Sequence, residues 1–418
     1  MTLGTGKGVE HGLACSIKTL NPDSVIFLGS SESPDLLERL KPLVPEFVPR
    51  FQPLRFMADK NDMEKCALDS RKLILELLEN GVSSEDVEAD FTSGTKAMTA
   101  GLCIAAVALG VGRLVYVTGD RDPQTGRVIT GTERVLSIYP MRLIIQNKRQ
   151  QLRTLFNKRL FADGLNIIEE VLSSCKLPEI QEEFAFWNIL FKTYWLWDSF
   201  NHVEANETIG RIPKQWLERL GLHLSGNKEI LGRVSKKLKQ YKEQSQDAEA
   251  TVKLLSSKEA ELLLVDILAN AERRGSQGKY DDAVARLYRA CELIAQIALA
   301  RYGIDTSKLK SEQIPEGLMP LFPEISQGEK VATMGLDRSY KFLKAKDEEK
   351  ANNYLENKKL QGLLSKRNSS ILAHGLLPVE KKTYTDLREQ VLKLASNFYP
   401  GIDEFLAKAS FPKIEVTL

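Results

Sequence analysis

The sequence predicts an α/β domain with a parallel sheet, followed by two all-helical segments. Short apolar runs alternate with stretches of helical periodicity over residues 1–140. Buried strands separated by helices are typical of a parallel sheet whose two faces are covered. From Met141 onward the strand-like runs stop and long amphipathic stretches follow. A chain of 418 residues is too long for one core. We expect an α/β domain at 1–140, a helical linker domain at 141–245 and a helical domain at 246–418.

The elements of the first domain follow from local patterns. Apolar runs predict strands at 24–30, 87–91 and 113–118, and periodicity predicts helices at 63–80 and 96–109. Two β-prone pieces at 127–130 and 134–139 flank turn residues and predict a closing hairpin.

The helical part carries several long amphipathic stretches. They predict helices at 152–172, 182–200 and 281–302, and a solvated helix or linker at 228–244. The second stretch carries Trp187, Trp195 and Trp197 at helical spacing, which is typical of core packing.

Composition excludes several classes of function. With 58 basic and 56 acidic residues the net charge is +2, so any nucleic acid must be bound by a local patch. The five cysteines are scattered, without metal-ligand spacing, and indicate buried thiols in a reducing compartment. The sequence has neither a basic-then-apolar leader nor an apolar run long enough to span a bilayer. We expect a cytoplasmic protein with no membrane contact and no metal.

One motif in the first domain has the chemistry of a phosphate site. Asp90-Phe91-Thr92-Ser93-Gly94-Thr95-Lys96 lies between a predicted strand and a predicted helix, where open parallel sheets bind ligands. A helix N-terminus presents free N–H groups, and Gly94 lets the backbone approach an anion closely. Thr92, Ser93 and Thr95 add hydroxyls, and Lys96 adds a charge. Alternatively, Asp90 and Thr92 cap the helix and Lys96 is solvated, and capping can coexist with binding.

Two further loops are expected beside that motif. Gly4-Thr5-Gly6-Lys7-Gly8 lacks the spacing of a phosphate-binding P-loop, and Gly8 stands where a magnesium-binding Ser or Thr would be needed. A plain loop at the sheet edge is the better interpretation. Ser30-Ser31-Glu32-Ser33 follows the first clear strand, so the three loops together predict a polar rim.

A second motif lies near the end of the sequence, at 367–375. Arg367 and His374 are seven residues apart, which on a continuous helix leaves them on one face about 10 Å apart. One helix cannot bring both to one small atom, whereas two copies in a dimer can. A histidine can take the proton from an RNA 2′-hydroxyl, and an arginine can stabilise charge on the phosphorane. Asn368 can position the phosphate or orient the histidine. Alternatively, His374 ends a helix before Gly375 and interacts with its dipole.

The first domain resembles the CARF domain, a Rossmann-like sensor of type III CRISPR systems. The resemblance rests on five segments: Gly4-Thr5-Gly6, 9–13, 21–33, 90–98 and 116–120. It implies that two such domains dimerise and bind cyclic oligoadenylate, an allosteric activator, across the two-fold axis. The matching contact residues are Thr5, Ser30, Ser31, Thr92, Ser93, Gly94, Thr95 and Lys96. The family has a full strand before the Gly-Thr-Gly loop, whereas here only Met1-Thr2-Leu3 precedes it.

The second motif resembles the Arg–Asn–several–His signature of HEPN ribonucleases. The resemblance implies that two helical domains pair and form one active site from Arg367, Asn368 and His374 of each chain. CARF-like and HEPN-like motifs in this order imply a homodimeric accessory endoribonuclease in antiviral defence. Such an enzyme would cleave single-stranded RNA without a metal and leave a 2′,3′-cyclic phosphate. Two alternatives stay open: a regulator whose HEPN domain binds RNA or protein without cutting, and a CARF domain that degrades its own activator.

Overall fold

The structure is a computed structural model that divides into two compact units. It describes residues 1–6, 8–124, 128–175, 177–244, 247, 249–371 and 375–415, and at Leu143 the backbone alone. Unit 1 runs from Met1 to Lys148 and unit 2 from Arg149 to Leu418. The division into three domains stays a prediction.

Unit 1 contains two small sheets. Their strands are β1 (Thr2–Leu3), β2 (Leu28–Gly29), β3 (Arg55–Phe56), β4 (Glu88–Asp90), β5 (Arg113–Thr118) and β6 (Arg134–Ile138). The first sheet has the order β1-β2-β3, with all pairs parallel. The second has the order β4-β5-β6, with β4 and β5 parallel. The predicted strand at 24–30 is therefore shorter than expected, since only Leu28–Gly29 and a bridge from Val25 to Phe51 pair there.

The closing hairpin of unit 1 uses a different pair of strands from the predicted one. β6 pairs antiparallel with β5, from Leu114 opposite Ile138 to Thr118 opposite Arg134. Of the other predicted β piece, Val128 makes only an isolated bridge to Arg121, and Arg127 lies outside the described residues. The long apolar strand β5 offers five pairing positions, so it is the better partner.

Helices separate the strands of unit 1, as predicted. They are α1 (Val9–Leu20), α2 (Pro34–Leu40), α3 (Met63–Glu79) and α4 (Lys96–Ala108), and α5 (Pro140–Asn157) crosses the boundary between the units. The predictions at 63–80 and 96–109 are confirmed to within one residue. Asp62 caps α3 by accepting from the backbone N–H groups of Glu64 and Lys65.

The described part of unit 2 is helical apart from one short antiparallel pair, β7 (Leu309–Lys310) and β8 (Val331–Ala332), and an isolated bridge between Ser370 and Leu377. Its helices after α5 are α6 (Phe161–Ser174), α7 (Pro178–Asp198), α8 (His202–Ile209), α9 (Lys214–Arg219), α10 (Ser225–Glu243), α11 (Ala250–Leu255), α12 (Ala260–Ser276), α13 (Tyr280–Ala300), α14 (Pro323–Ser326), α15 (Leu336–Ala345), α16 (Asn352–Leu355), α17 (Lys358–Asn368), α18 (Lys381–Phe398) and α19 (Ile402–Ala409). The predicted helices at 182–200, 228–244 and 281–302 correspond to α7, α10 and α13.

The single helix predicted at 152–172 is wrong. The chain breaks between α5 and α6, where Arg159 adopts the left-handed φ of 61°. Its guanidinium donates hydrogen bonds of 2.7 Å to the carbonyl oxygens of Phe411 and Pro412. A contact with a segment about 250 residues away thus offsets the cost of that backbone conformation.

The aromatic stripe of α7 is core, with one exception. Trp187 and Trp197 are buried beside Tyr194, whereas Trp195 is 42% exposed. Of the five cysteines, Cys66, Cys175 and Cys291 are buried, while Cys15 and Cys103 are partly buried.

A buried ionic cluster joins α7 and α8 to α12; we define it as Asp198, Asp266, Arg273 and His202. Asp266 accepts from Trp197 Nε1 at 2.8 Å, and its other oxygen lies 2.8 Å from His202 Nε2. Arg273 Nε donates to Asp198 at 2.7 Å. All four side chains are less than 9% exposed. Removing one partner from such a cluster leaves an uncompensated buried charge, which is strongly destabilising.

Candidate functional sites

Three strand ends meet at the candidate ligand site of unit 1. The chain leaves β1 at Gly4, β2 at Ser30 and β4 at Phe91. The Gly4 backbone N–H donates to Ser93 Oγ at 2.8 Å, and Ser33 Oγ donates to the Leu3 carbonyl at 2.7 Å. The three loops therefore share one edge; we call the residues predicted to bind there the rim: Thr5, Ser30, Ser31, Thr92, Ser93, Gly94, Thr95 and Lys96.

Most hydroxyls of the rim already hold the protein's own backbone. Thr92 Oγ1 accepts from the Val117 N–H at 2.9 Å, and Ser93 Oγ accepts from Gly4. Thr95 Oγ1 accepts from the Met98 N–H at 3.2 Å. The alternative in which Asp90 and Thr92 cap α4 is wrong, because Thr95 is the N-cap residue.

Asp90 holds the loop between β4 and α4 in place through hydrogen bonds. Its side chain is 1% exposed, accepts from the Thr92 N–H at 2.7 Å, and also accepts from the Ser16 hydroxyl. The Thr2 hydroxyl donates to the Ser93 carbonyl and lies 3.4 Å from the Asp90 carbonyl oxygen. This aspartate therefore orders the backbone of the rim.

Four rim residues face solvent or lie at the open edge. Thr5, Ser31, Gly94 and Lys96 are exposed, whereas Ser30 is buried with its hydroxyl 3.5 Å from Ser33 Oγ. Gly94 has a φ of 116°, a conformation that favours glycine, and a Cβ there would lie 3.3 Å from Thr2 Cβ. The exposed lysine beside an exposed glycine backbone can receive an anion.

Lys60 is a rim neighbour that the sequence pattern missed. Its carbonyl accepts from the Thr95 hydroxyl, and its ammonium lies 2.7 Å from Glu32 Oε1. The residue follows β3, so the same rule that placed the other loops at the carboxyl ends of parallel strands could have found it.

The second candidate site lies at the end of α17, where the predicted continuous helix through 367–374 is wrong. The helix ends at Asn368. Ser370 then bridges to Leu377, and the Ile371 N–H donates to the Leu377 carbonyl at 3.0 Å. Pairing between these segments replaces the next helical turn. His374 lies outside the described residues.

Arg367 and Asn368 form a pair at the last turn of α17. The Arg367 guanidinium carbon lies 4.5 Å from the centre of the Tyr288 ring on α13. Arg367 Nη1 donates to Asn368 Oδ1 at 3.2 Å. Burial raises the pKa of Tyr288, and the carboxylate of Glu292 adds to the rise while Arg367 opposes it. The tyrosine therefore stays neutral and presents its ring to the cation.

A cavity of about 590 Å³ adjoins this pair. Its walls come from α13, the start of α15, α16 and α17. The residues that line it are Tyr288, Thr333, Gly335, Leu336, Asp337, Arg338, Tyr354, Gln361, Leu364, Ser365 and Asn368. This cavity has no signature in the sequence, because its walls are brought together only by helix packing.

The described parts of the chain contain neither a metal-binding cluster nor a membrane-spanning helix. There, the side chains of His, Cys, Asp and Glu form no group of three or more that could hold a metal ion. Among those residues, no helix has the length and apolar character needed to cross a membrane.

Two family models match the helical part of the chain. One, the Csm6 6H domain, matches residues 146–243, and the other, the Csm6 HEPN domain, matches residues 253–397. Together they cover more than half of the sequence. The chain belongs to the Csm6 family.

A curated protein and a solved structure of the same family are similar over most of their length. The CRISPR system endoribonuclease Csm6 of Thermus thermophilus is 25% identical over 398 residues, which span 90% of this chain and 79% of that protein. Enterococcus italicus Csm6, solved bound to cyclic hexa-2′-fluoro-hexa-dAMP, superposes with a TM-score of 0.56 at 13% identity. That match covers 98% of this chain and 97% of the other, so the two share a fold.

Proposed function

We propose that this Csm6-family chain is an endoribonuclease that cleaves single-stranded RNA when cyclic oligoadenylate binds its first unit. The observation that carries the proposal is the Arg367–Asn368 pair, held against Tyr288 inside the segment matched by the Csm6 HEPN domain. The Thermus thermophilus relative is named an endoribonuclease, which supports RNA cleavage as the reaction of this chain.

The chemistry needs only groups that this sequence supplies. The 2′-hydroxyl of RNA attacks the adjacent phosphorus while a base, His374, accepts its proton. The bond from phosphorus to the 5′-oxygen breaks, that oxygen takes up a proton, and the products are a 2′,3′-cyclic phosphate and a 5′-hydroxyl. Arg367 stabilises the negative charge that develops on the phosphorane, and Asn368 orients the phosphate. This transesterification is independent of metal ions.

A homodimer would complete the site. Ile371, Leu376 and Leu377 are 55%, 87% and 74% exposed, and they follow the Arg367–Asn368 pair in the chain. Exposed apolar side chains clustered beside polar site residues are typical of an interface. A second copy would cover them and contribute its own Arg367, Asn368 and His374.

The first unit is proposed to be a Rossmann-like CARF sensor. The first sheet has the order β3-β2-β1 and the second the order β4-β5-β6. The Thr2 hydroxyl of β1 donates to the Ser93 carbonyl in the loop after β4, which supports one strand order that reverses between β1 and β4. The rim lies at that point and offers Lys96 to a phosphate. The ring bound by Enterococcus italicus Csm6 supports a cyclic oligoadenylate as the activator. Binding of the ring would activate the second unit allosterically. We propose that the protein acts in a prokaryotic cytoplasm, as part of type III CRISPR defence.

A reporter assay tests the proposal. A fluorescent single-stranded RNA is incubated with the full chain, EDTA and rings of three to six adenylates in turn. We expect cleavage with one ring size and loss of cleavage in His374→Ala. Absence of RNA cleavage with every ring would favour a regulator whose helical domain binds RNA without cutting it. Undiminished cleavage by His374→Ala would reject the proposed chemistry.

A further inference from the structure

The cavity beside the Arg367–Asn368 pair has no role in the chemistry described so far. It shares two residues with that site: Asn368 lines it, and so does Tyr288, whose ring carries the Arg367 guanidinium. Anything bound in the cavity would therefore lie next to the phosphate that Arg367 contacts. At about 590 Å³ it is within the usual size range of small-molecule sites.

The walls combine aromatic surface with hydrogen-bond donors and acceptors. Tyr288 and Tyr354 supply aromatic surface, and Tyr354 is held rigidly by stacking on Tyr340 at 4.0 Å between ring centres. Asp337 offers an accepting carboxylate, while the side-chain amide of Asn368 carries donor hydrogens. Flat rings with mixed donors and acceptors on their edges fit such walls.

The charges on the walls argue against a second phosphate site. Arg338 Nη1 donates to Glu324 at 2.6 Å and lies 3.2 Å from the Thr333 carbonyl oxygen. Asp337 is paired with Lys341 at 2.7 Å. Because both charged residues have partners, the cavity offers an anion no surplus positive charge from them. A neutral base is the better occupant.

We propose that this cavity is a subsite for one nucleobase of the RNA substrate, next to the scissile phosphate. This inference rests on the proposed nuclease function and adds a binding contact to it. Occupation of the subsite would anchor the strand beside Arg367 and make cleavage depend on the base that enters. Asp337, at the wall, would favour a base edge that donates hydrogen bonds.

Two substitutions fill the cavity from different walls. Ser365→Leu acts from the exposed face of α17, where leucine is a good helix former. Gly335→Leu acts from the residue before α15, where φ is −74° and an added Cβ would meet no atom within 4 Å. Gly362→Leu is the matched control, because it places leucine on α17 at a position that does not line the cavity and is open to solvent.

The probes are DNA oligonucleotides that carry a single ribonucleotide, so that cleavage is confined to one position, in versions that differ in the bases flanking it. An all-deoxy version measures binding without cleavage by fluorescence anisotropy. With the full chain and an activating ring, we expect each filling variant to raise KM and Kd about tenfold, or about 1.4 kcal/mol. We expect kcat to change less than about twofold, base preference to weaken, and Gly362→Leu to match the unsubstituted chain.

Unchanged KM and base preference in both filling variants would overturn the subsite, whether or not kcat falls. Thermal melting checks that each variant is folded, and either filling variant suffices if the other fails to fold. Failure of the nuclease proposal is seen separately, as absence of cleavage by the unsubstituted chain. The anisotropy measurement tests the cavity even if the chain cleaves no RNA. Equal Kd values for all variants would also overturn the subsite proposal.

Discussion

The rim of unit 1 and the Arg367–Asn368 pair of unit 2 are built in opposite ways. Rim hydroxyls such as Ser93 and Thr92 are bonded to backbone groups of other segments, so the loop conformation is fixed before any ligand arrives. The Arg367–Asn368 pair lies at a helix end, held by one ring and one hydrogen bond. The first site is therefore preorganised within one chain. The second needs groups beyond Arg367 and Asn368, and we propose that these are His374 and the same three residues of a second copy. Substitutions at each site test that contrast.

The largest effect is expected for Arg367→Ala. Removing a group that stabilises transition-state charge typically lowers kcat about 10²–10³-fold. Stability should change little, because a cation–π contact contributes only about 0.5–1 kcal/mol at a partly exposed site. Cleavage of the RNA reporter and thermal melting measure the two effects. Lys366→Ala, which removes the neighbouring exposed cation, is the control, and an equal loss there would show that only local charge matters.

Ser93→Ala should act on stability more than on chemistry. It leaves the buried Gly4 N–H without its partner, which costs about 1–3 kcal/mol. Urea unfolding measures the change in free energy. Ser31→Ala at the exposed edge of the rim is the control and should lie within about 0.5 kcal/mol of the unsubstituted chain. An unchanged unfolding free energy for Ser93→Ala would contradict a rim that is fixed in advance.

Lys96→Ala should weaken activation without altering the activated enzyme. Loss of a charged contact to a phosphate of about 1.4 kcal/mol raises the half-activating concentration of the ring about tenfold, with kcat at saturation unchanged. A titration of cleavage rate against ring concentration measures this. Lys65→Ala, an exposed lysine of α3, should leave the titration unchanged. An unshifted curve for Lys96→Ala would remove this lysine from the ligand site.

The smallest effect is expected at Tyr288. Tyr288→Leu removes the ring beneath Arg367 and should lower kcat about two- to fivefold, in line with a contact of about 0.5–1 kcal/mol. Tyr288→Phe keeps the ring and should restore most of the rate. Equal losses in both variants would mean that the hydroxyl, and not the ring, positions the arginine.

Local pattern predicted much of the fold because most elements carry their own signals. The helices α3, α4 and α13 and the strand β5 have clear periodicity or a continuous apolar run, and each was placed to within about two residues. Where the prediction failed, a distant segment decided the outcome. The break at Arg159 depends on carbonyl groups near residue 411, and the end of α17 depends on pairing with Leu377.

The candidate sites were predictable in kind but not in detail. The seven-residue motif at 90–96 lies where it was expected, yet nothing in its letters tells a ligand-binding hydroxyl from one that holds the backbone, as Ser93 does. Lys60 follows a parallel strand and could have been placed by that rule, whereas Tyr288 lies beside Arg367 only through tertiary packing. Spacing along the chain carries no signal for such contacts.

The buried ionic cluster sets a limit on how this protein can be divided for study. A fragment that began at residue 253, where the HEPN match starts, would keep Asp266 and Arg273 but lose Asp198, Trp197 and His202. The Asp266 and Arg273 side chains would keep only their mutual contact of 3.8 Å and would lose the shorter contacts that Trp197, His202 and Asp198 supply. The shortest helical piece that keeps all of these contacts begins in α7 or earlier, and a cut before Pro140 keeps the compact unit from Arg149 onward without dividing α5.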